Sequence, residues 1–244
     1  ALVPCEPGPA VWLTVPGRVW RLDGCAGAAG GRGRVARMVP AAAIGWAFGF
    51  GYFLAGLYWV GHAFLVEADI FGWMMPFAVA LLPAGLALFM ALGCARAALM
   101  WSSGPGRVFA LATGLMLSEW LRGHVLSGFP WNSLGETLAF TDSLMQGAAL
   151  FGVLGLTFLT VLFHAAPALL TDKGGVAARL ALPLAAVAGI AALAIGGAWR
   201  LPGGAVGEVA EARLRIVQPN IPQAMKWRFD NRRAIFADYM RLSD

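Results

Sequence analysis

Five apolar stretches constrain this chain most, because each is long enough to cross about 30 Å of hydrocarbon as an α-helix. Of the 244 residues, 59% are hydrophobic and 13% are charged, whereas soluble domains carry about a quarter charged residues. The composition excludes a disordered chain and a water-soluble domain, and it favours a polytopic α-helical membrane domain over residues 42–199. The stretches lie at residues 42–66, 73–95, 108–126, 144–170 and 180–199.

The short segments that separate the stretches differ in charge. Lys and Arg occur in residues 1–41, 96–107 and 171–179, whereas 67–72 and 127–143 hold acidic residues and no basic ones. Basic loops remain in the cytoplasm under the positive-inside rule. The pattern therefore predicts a multi-pass protein of the bacterial inner membrane, with its N-terminus cytoplasmic and, after five crossings, its C-terminal segment periplasmic.

The residues that usually bind metals or cofactors are few and scattered. Three cysteines and three histidines show neither paired spacing nor metal-ligand spacing. The basic residues sort by membrane side and do not form one nucleic-acid-binding face. We therefore expect no metal, no cofactor and no nucleic-acid partner.

The two ends of the chain differ from the apolar middle. Residues 1–41 are rich in Arg, Gly and Pro and lack an 18-residue apolar run, so we expect an irregular segment. Residues 200–212 have the composition of a linker. In residues 213–244, alternating Leu214 and Ile216 predict a strand over 213–218, and Asp230 is a predicted N-cap for a helix that runs to about Leu242.

Two features within the apolar stretches have a physical interpretation. Gly45 and Gly49 form a G-x-x-x-G pattern, which predicts close helix packing, with a ligand groove as the alternative. Glu119 and Arg122 are spaced i,i+3 and face the same side of a helix. An isolated charge is costly in the bilayer. The pair is interpreted as an internal ion pair that orients the helix and the loop after it, and direct substrate contact is the alternative.

Three short sequence motifs identify a protein family more specifically than the composition does. They read G-F-G-Y-F-L-A-G-L-Y-W at 49–59, E-W-L-R-G-H-V-L-S-G-F-P-W at 119–131 and I-V-Q-P-N-I-P-Q-A-M-K-W at 216–227. In content and order they resemble the apolipoprotein N-acyltransferase family, membrane enzymes of bacterial lipoprotein maturation. The resemblance covers about residues 41–244, with no contribution from residues before Ala41.

The resemblance implies a membrane domain followed by a periplasmic nitrilase-like α/β/β/α domain, of which residues 213–244 would supply the first strand and helix. It implies acyl transfer from a phospholipid, typically phosphatidylethanolamine, to the α-amino group of a diacylglyceryl-modified lipoprotein cysteine. The family's Cys forms a thioester, its Glu is the general base and its Lys stabilises charge. None of these catalytic residues is present here, so we expect a chain incomplete at both ends and inactive alone.

The resemblance also carries over candidate lipid-binding and substrate-binding residues. Trp227 matches a tryptophan that the family uses near its lipid and acceptor site, with simple packing as the alternative. Phe129 and Trp131, in the G-F-P-W string, are expected to enter the lipid headgroup region, with substrate contact as the alternative.

Two other functions are compatible with the sequence. A small transporter or channel would use the intramembrane Glu119 and Arg122 to line a path, but it predicts polar residues on several helices. A non-catalytic membrane scaffold is the second alternative.

Overall fold

The computed structural model describes residues 8–28, 33–201, 214–226 and 228–243. Within these ranges the chain is helical, and no strand occurs. The α-helices are α1 (Gly8–Ala28), α2 (Met38–Leu57), α3 (Ala68–Phe71), α4 (Met75–Leu99), α5 (Gly106–His124), α6 (Asp142–Met145), α7 (Ala148–Ala165), α8 (Val176–Arg200), α9 (Gln223–Lys226) and α10 (Arg232–Ser243). Short 3-10 helices lie at Val35–Arg37, Tyr58–Leu65, Gly72–Met74, Leu134–Leu138, Ala166–Thr171 and Phe229–Asn231.

Four helical segments in the described ranges are long and apolar enough to cross a membrane: Val35–Leu65, Ala68–Leu99, Ala148–Thr171 and Val176–Arg200. They confirm a polytopic helical membrane protein. The stretch predicted as the third crossing is helix α5. It is not one of these four, because its 19 residues include Arg107, Glu119 and Arg122.

The described residues divide into two compact units. The first contains the residues up to Tyr58 together with Val79–Leu201, and we call it the bundle. The second contains Trp59–Ala78 and the described residues beyond 213.

Close backbone contact between helices organises the bundle. A methyl group built on Gly45 would lie 2.6 Å from the Met90 carbonyl oxygen, and one on Gly49 would lie 2.9 Å from the Met90 side chain. The predicted packing role of this glycine pair is therefore confirmed, since any side chain would force α2 away from α4. Helix α5 packs most extensively on α7, and its charged residues Arg107, Glu119 and Arg122 are buried.

The prediction that residues 1–41 are irregular is wrong for the described part of that segment. Residues 8–28 form α1, which packs on α2 and α7. Val15, Val19 and Leu22 are buried and recur at helical spacing, so they form one apolar stripe. A search for a continuous apolar run misses such a stripe, because polar residues separate its members.

An ion network joins three segments at one end of the bundle. Arg107 donates through Nη2 and Nη1 to the two carboxylate oxygens of Asp172, at 2.5 and 2.8 Å. Its Nε lies 3.2 Å from Asp23 Oδ1 of α1, which also accepts from the Trp101 indole at 2.9 Å. The hydrogen bond to Asp172 raises the pKa of Arg107. The two basic loops after α4 and α7 therefore lie at the same end, which we call the basic end.

The second unit differs from the predicted start of an α/β domain. Residues 214–222 are irregular, and Leu214 and Ile216 are each 92% exposed. The predicted strand is not formed there, since a strand needs a neighbour for its backbone groups. A helix does occur where one was predicted, as α10. The predicted N-cap, Asp230, lies instead inside the preceding 3-10 helix Phe229–Asn231. Arg213 and most of the predicted linker lie outside the described residues.

Candidate functional site

A tight loop follows α5 at the end of the bundle opposite the basic end, and we call residues 125–133 the aromatic loop. Helix α5 ends at His124, and the chain turns back so that the Phe129 N–H donates to the Arg122 carbonyl at 2.9 Å. Gly128 has a φ of +73°, and a methyl group there would overlap the Gly123 carbonyl. Only glycine fits this turn without strain.

Arg122 holds the aromatic loop by its backbone. Its Nη1 donates to the carbonyl oxygens of Phe129 at 2.5 Å and Trp131 at 2.6 Å, and its Nη2 lies 3.4 Å from Ser133 Oγ. The guanidinium carbon is 5.1 Å from the centre of the Phe53 ring in α2. Only 2% of Arg122 is exposed, so these carbonyl dipoles replace the water that the cation has lost.

Glu119 holds the segment that follows the loop. Its Oε1 accepts from the Leu134 N–H at 2.8 Å, and its Oε2 accepts from the Thr157 hydroxyl of α7 at 2.6 Å. Thr157 Oγ1 in turn accepts from the Gly135 N–H at 3.0 Å. Glu119 is 3% exposed. Its carboxylate thus ties the first turn of the 3-10 helix Leu134–Leu138 to α7.

The contact between the two charges is long. Arg122 Nη2 and Glu119 Oε1 are 4.0 Å apart, at the limit of an ion pair. The shorter bonds of both side chains go to the loop and to Thr157. We call Arg122, Glu119 and Thr157 the polar clamp, because together they join α5 and α7 to the second half of the aromatic loop and to the residues just after it.

The clamp leaves the aromatic side chains themselves on the surface. The Phe129 and Trp131 rings are 5.5 Å apart between centroids at 45°, and Trp131 is 53% exposed. Leu126 at the tip is 97% exposed and has a φ of 58°. The loop therefore presents the exposed Leu126 and Trp131 side chains and the half-buried Phe129 ring on a backbone that the clamp holds.

The structure brings four of the five predicted site residues together: Phe129, Trp131, Glu119 and Arg122. Trp227 lies outside the described residues. Sequence reasoning missed Thr157 and Ser133, although a hydroxyl within an apolar stretch such as 144–170 was an available signal for Thr157. Among the described residues, no group of three or more His, Cys, Asp or Glu side chains could hold a metal ion.

The sequence profile of the apolipoprotein N-acyltransferase N-terminal domain matches residues 9–166. The chain belongs to the apolipoprotein N-acyltransferase family. The protein with this name from Rhodopseudomonas palustris is 46% identical over 100% of the chain, and the match covers 45% of that protein's length. The one from Brucella suis is 46% identical over 96% of the chain, and the match covers 44% of its length. The one from Bradyrhizobium diazoefficiens is 47% identical over 100% of the chain and 45% of its length.

Two consequences follow from these matches. The chain spans less than half the length of these curated relatives. The family match also begins at residue 9, so the expectation that nothing before Ala41 contributes is wrong. Helix α1 is part of the family's domain, although its sequence carries none of the strings that suggested the family.

Proposed function

We propose that these residues form the membrane part of an enzyme that transfers an acyl chain from a phospholipid to the α-amino group of a lipoprotein's diacylglyceryl-cysteine. The name shared by the relatives and the four membrane-spanning helices support this proposal. Both substrates keep their acyl chains in a bilayer. A soluble enzyme would have to expose them, at about 0.8 kcal/mol per methylene.

The proposed chemistry has two steps. The family's Glu takes the proton of the Cys thiol, the thiolate attacks the phospholipid ester, and the ester oxygen leaves as a lysophospholipid with that proton while a thioester forms. The lipoprotein amine then attacks the thioester, the carbon–sulfur bond breaks, and the amine's proton passes through Glu to the departing sulfur, which restores the thiol. In this proposal the nitrilase-like domain that carries these residues begins at residue 213, and the donor is a phosphatidylethanolamine-like lipid.

The polar clamp is the observation on which the role of this chain rests. Arg122 and Glu119 are buried and bond to four backbone and side-chain groups within residues 129–134. A buried polar network whose members are satisfied in this way stabilises a segment in one conformation. We infer that the clamp fixes Phe129 and Trp131 at the membrane surface, where lipid acyl chains and the acceptor's lipid anchor would meet the catalytic domain. Trp227 is proposed as a second lipid or acceptor contact.

The proposed orientation places the basic end in the cytoplasm and the aromatic loop at the periplasmic face of the inner membrane. Arg107 and Arg122 stand near opposite ends of α5, about 22 Å apart at 1.5 Å per residue. Helix α1 does not change the side of the later loops, because the segment between α1 and α2 contains Arg32, Arg34 and Arg37 and stays cytoplasmic by the same rule.

The channel alternative is less well supported. It needs polar side chains that face a water path, but Glu119, Arg122 and Thr157 bond to one another and to loop backbone. A non-catalytic scaffold has no specific observation in its favour.

The test uses the full-length protein encoded by the gene, reconstituted with a diacylglyceryl lipoprotein and phosphatidylethanolamine. Mass spectrometry of the lipoprotein N-terminus should show one added acyl chain and a matching amount of lysophospholipid. Absence of that mass increase, with a correctly folded protein and a relative as positive control, would contradict the proposal.

A further inference from the structure

An apolar groove of about 390 Å³ lies on the bundle between α7 and α8. This volume is within the range of small-molecule binding pockets. Most of the lining is apolar. The polar members are Gln146, directly after α6, and Arg200, the last residue of α8. The walls and floor include Leu159, Phe163, Gly189 and Gly196.

The two glycines on the groove floor differ in what they contact. A methyl group on Gly189 would lie 2.7 Å from the Phe163 ring, so helix packing explains that glycine. A methyl group on Gly196 would have no heavy atom within 4 Å. Packing of α8 does not account for the space beside Gly196, which is the open part of the groove.

The length of the groove matches one leaflet of a bilayer. From Gly189 to Arg200, α8 advances about 16 Å at 1.5 Å per residue, which is about half of a 30 Å hydrocarbon core. Because α8 is one of the four membrane-spanning helices, the groove runs from the membrane surface at Arg200 to near the midplane at Phe163.

The charge is at the surface end of the groove. Arg200 is the last residue of α8, and it is exposed. A guanidinium group can donate two parallel hydrogen bonds to two oxygens of one phosphate. An apolar groove one leaflet long, with a cation at its surface end, is complementary to a phospholipid. The lipid phosphate would lie at Arg200 and one acyl chain would lie along α8.

We propose that the groove between α7 and α8 is a phospholipid site that holds one acyl chain, with Arg200 contacting the lipid phosphate. The proposal rests on the membrane placement of α7 and α8 and does not require acyl transfer. It is also separate from the aromatic loop, since the clamp residues do not line the groove.

The test is photolabelling of the full chain in vesicles of phosphatidylethanolamine and phosphatidylglycerol that contain a trace of phosphatidylglycerol with a diazirine on its acyl chain. After irradiation, peptide mass spectrometry should find adducts concentrated near Leu159, Phe163 and Gly196, above the level on the exposed face of α4.

Two variants with matched controls decide the outcome. Gly196→Leu should lower groove labelling to the level found on α4, whereas Gly85→Leu on α4, where a methyl group also meets nothing within 4 Å, should not change it. Arg200→Gln should lower it about fivefold, and Arg179→Gln at the other end of α8 should have no effect. Ala192→Leu, which also fills the groove, replaces Gly196→Leu if that variant fails to fold.

Three results would overturn the proposal. Equal labelling of the groove and of α4 would mean no specific site, and groove labelling below that of α4 would mean that protein, such as a second copy, covers it. Unchanged labelling in Arg200→Gln would remove the phosphate contact. Because labelling needs no turnover, failure of the acyl-transfer assay leaves this test intact.

Discussion

Arg122 Nη1 lies 2.6 Å from the carbonyl oxygen of Trp131, nine residues later in the chain. The same nitrogen is 2.5 Å from the Phe129 carbonyl oxygen, so one buried nitrogen fixes the backbone on both sides of Pro130. Glu119 is farther from Arg122, at 4.0 Å, than either carbonyl. The two charges therefore act on neighbouring parts of the chain, Arg122 on the aromatic loop and Glu119 on Leu134 directly after it.

Replacing Arg122 by Met should release the aromatic loop. The change keeps an unbranched side chain but removes both carbonyl bonds, and hydrogen bonds to charged groups are worth about 1.5–3 kcal/mol each. We expect a loss of about 3 kcal/mol of stability, measured as a lower Tm in detergent, and faster proteolysis within residues 125–131. Arg122→Lys, which keeps the charge with fewer donors, should lie between Met and wild type. A Lys variant as unstable as Met would mean that geometry matters more than charge.

Removing the Thr157 hydroxyl should weaken the other half of the polar clamp. Thr157→Val leaves the Gly135 N–H without its acceptor and Glu119 Oε2 without its donor, so we expect a loss of about 1–3 kcal/mol in unfolding experiments. Glu119→Gln should cost less than Glu119→Ala, because the amide keeps an acceptor for Leu134. In a double-mutant cycle, Thr157→Val and Glu119→Gln should be non-additive. If the losses of stability in the two single variants simply add up in the double variant, the hydrogen bond between Thr157 and Glu119 contributes nothing to stability.

The helix interface at Gly45 and Gly49 should tolerate no side chain. Gly49→Leu places atoms against Met90 and Ala87, and overpacking typically costs about 1–3 kcal/mol or more. The control is Gly51→Leu, because a methyl group at Gly51 meets nothing within 4 Å. Thermal unfolding in detergent should show a lower Tm for Gly49→Leu alone. Equal effects at both positions would contradict close packing as the cause.

Particular residues show how far the sequence could predict the fold and the site. The apolar runs around α2, α4, α7 and α8 were predictable, since membrane helices must satisfy their own backbone groups. Helix α1 was not, because its burial depends on a stripe of three side chains whose partners lie far along the chain. The spacing of Glu119 and Arg122 predicted a shared face, but the bonds to Trp131 and Thr157 depend on tertiary packing.

The ion network at the basic end should contribute stability through Asp172 more than through Asp23. Asp172 bonds both Nη atoms of Arg107, whereas Asp23 lies 3.2 Å from its Nε. Asp172→Asn should therefore lower stability by about 1–2 kcal/mol, and Asp23→Asn by less. Because Asp172 raises the pKa of Arg107, that cation stays charged across neutral and mildly alkaline pH. Unfolding at two such pH values should give the same difference, and a strong pH dependence would point to another group.

Loss of the Trp131 side chain should affect acyl transfer more than it affects the stability of the protein. Its side chain is 53% exposed, and its contact with Arg122 is made by the backbone carbonyl, which alanine retains. Trp131→Ala loses the ring contact with Phe129, so it should lower the Tm by less than Arg122→Met does. It should also lower acyl transfer by the full-length protein, because the ring is lost from the membrane surface where the proposed substrates meet. Trp131→Phe should restore part of the rate, and Met100→Ala, an exposed apolar residue beside the basic end, should change neither. A Tm loss as large as that of Arg122→Met would mean that the ring holds the loop, and unchanged transfer would remove Trp131 from the proposed site.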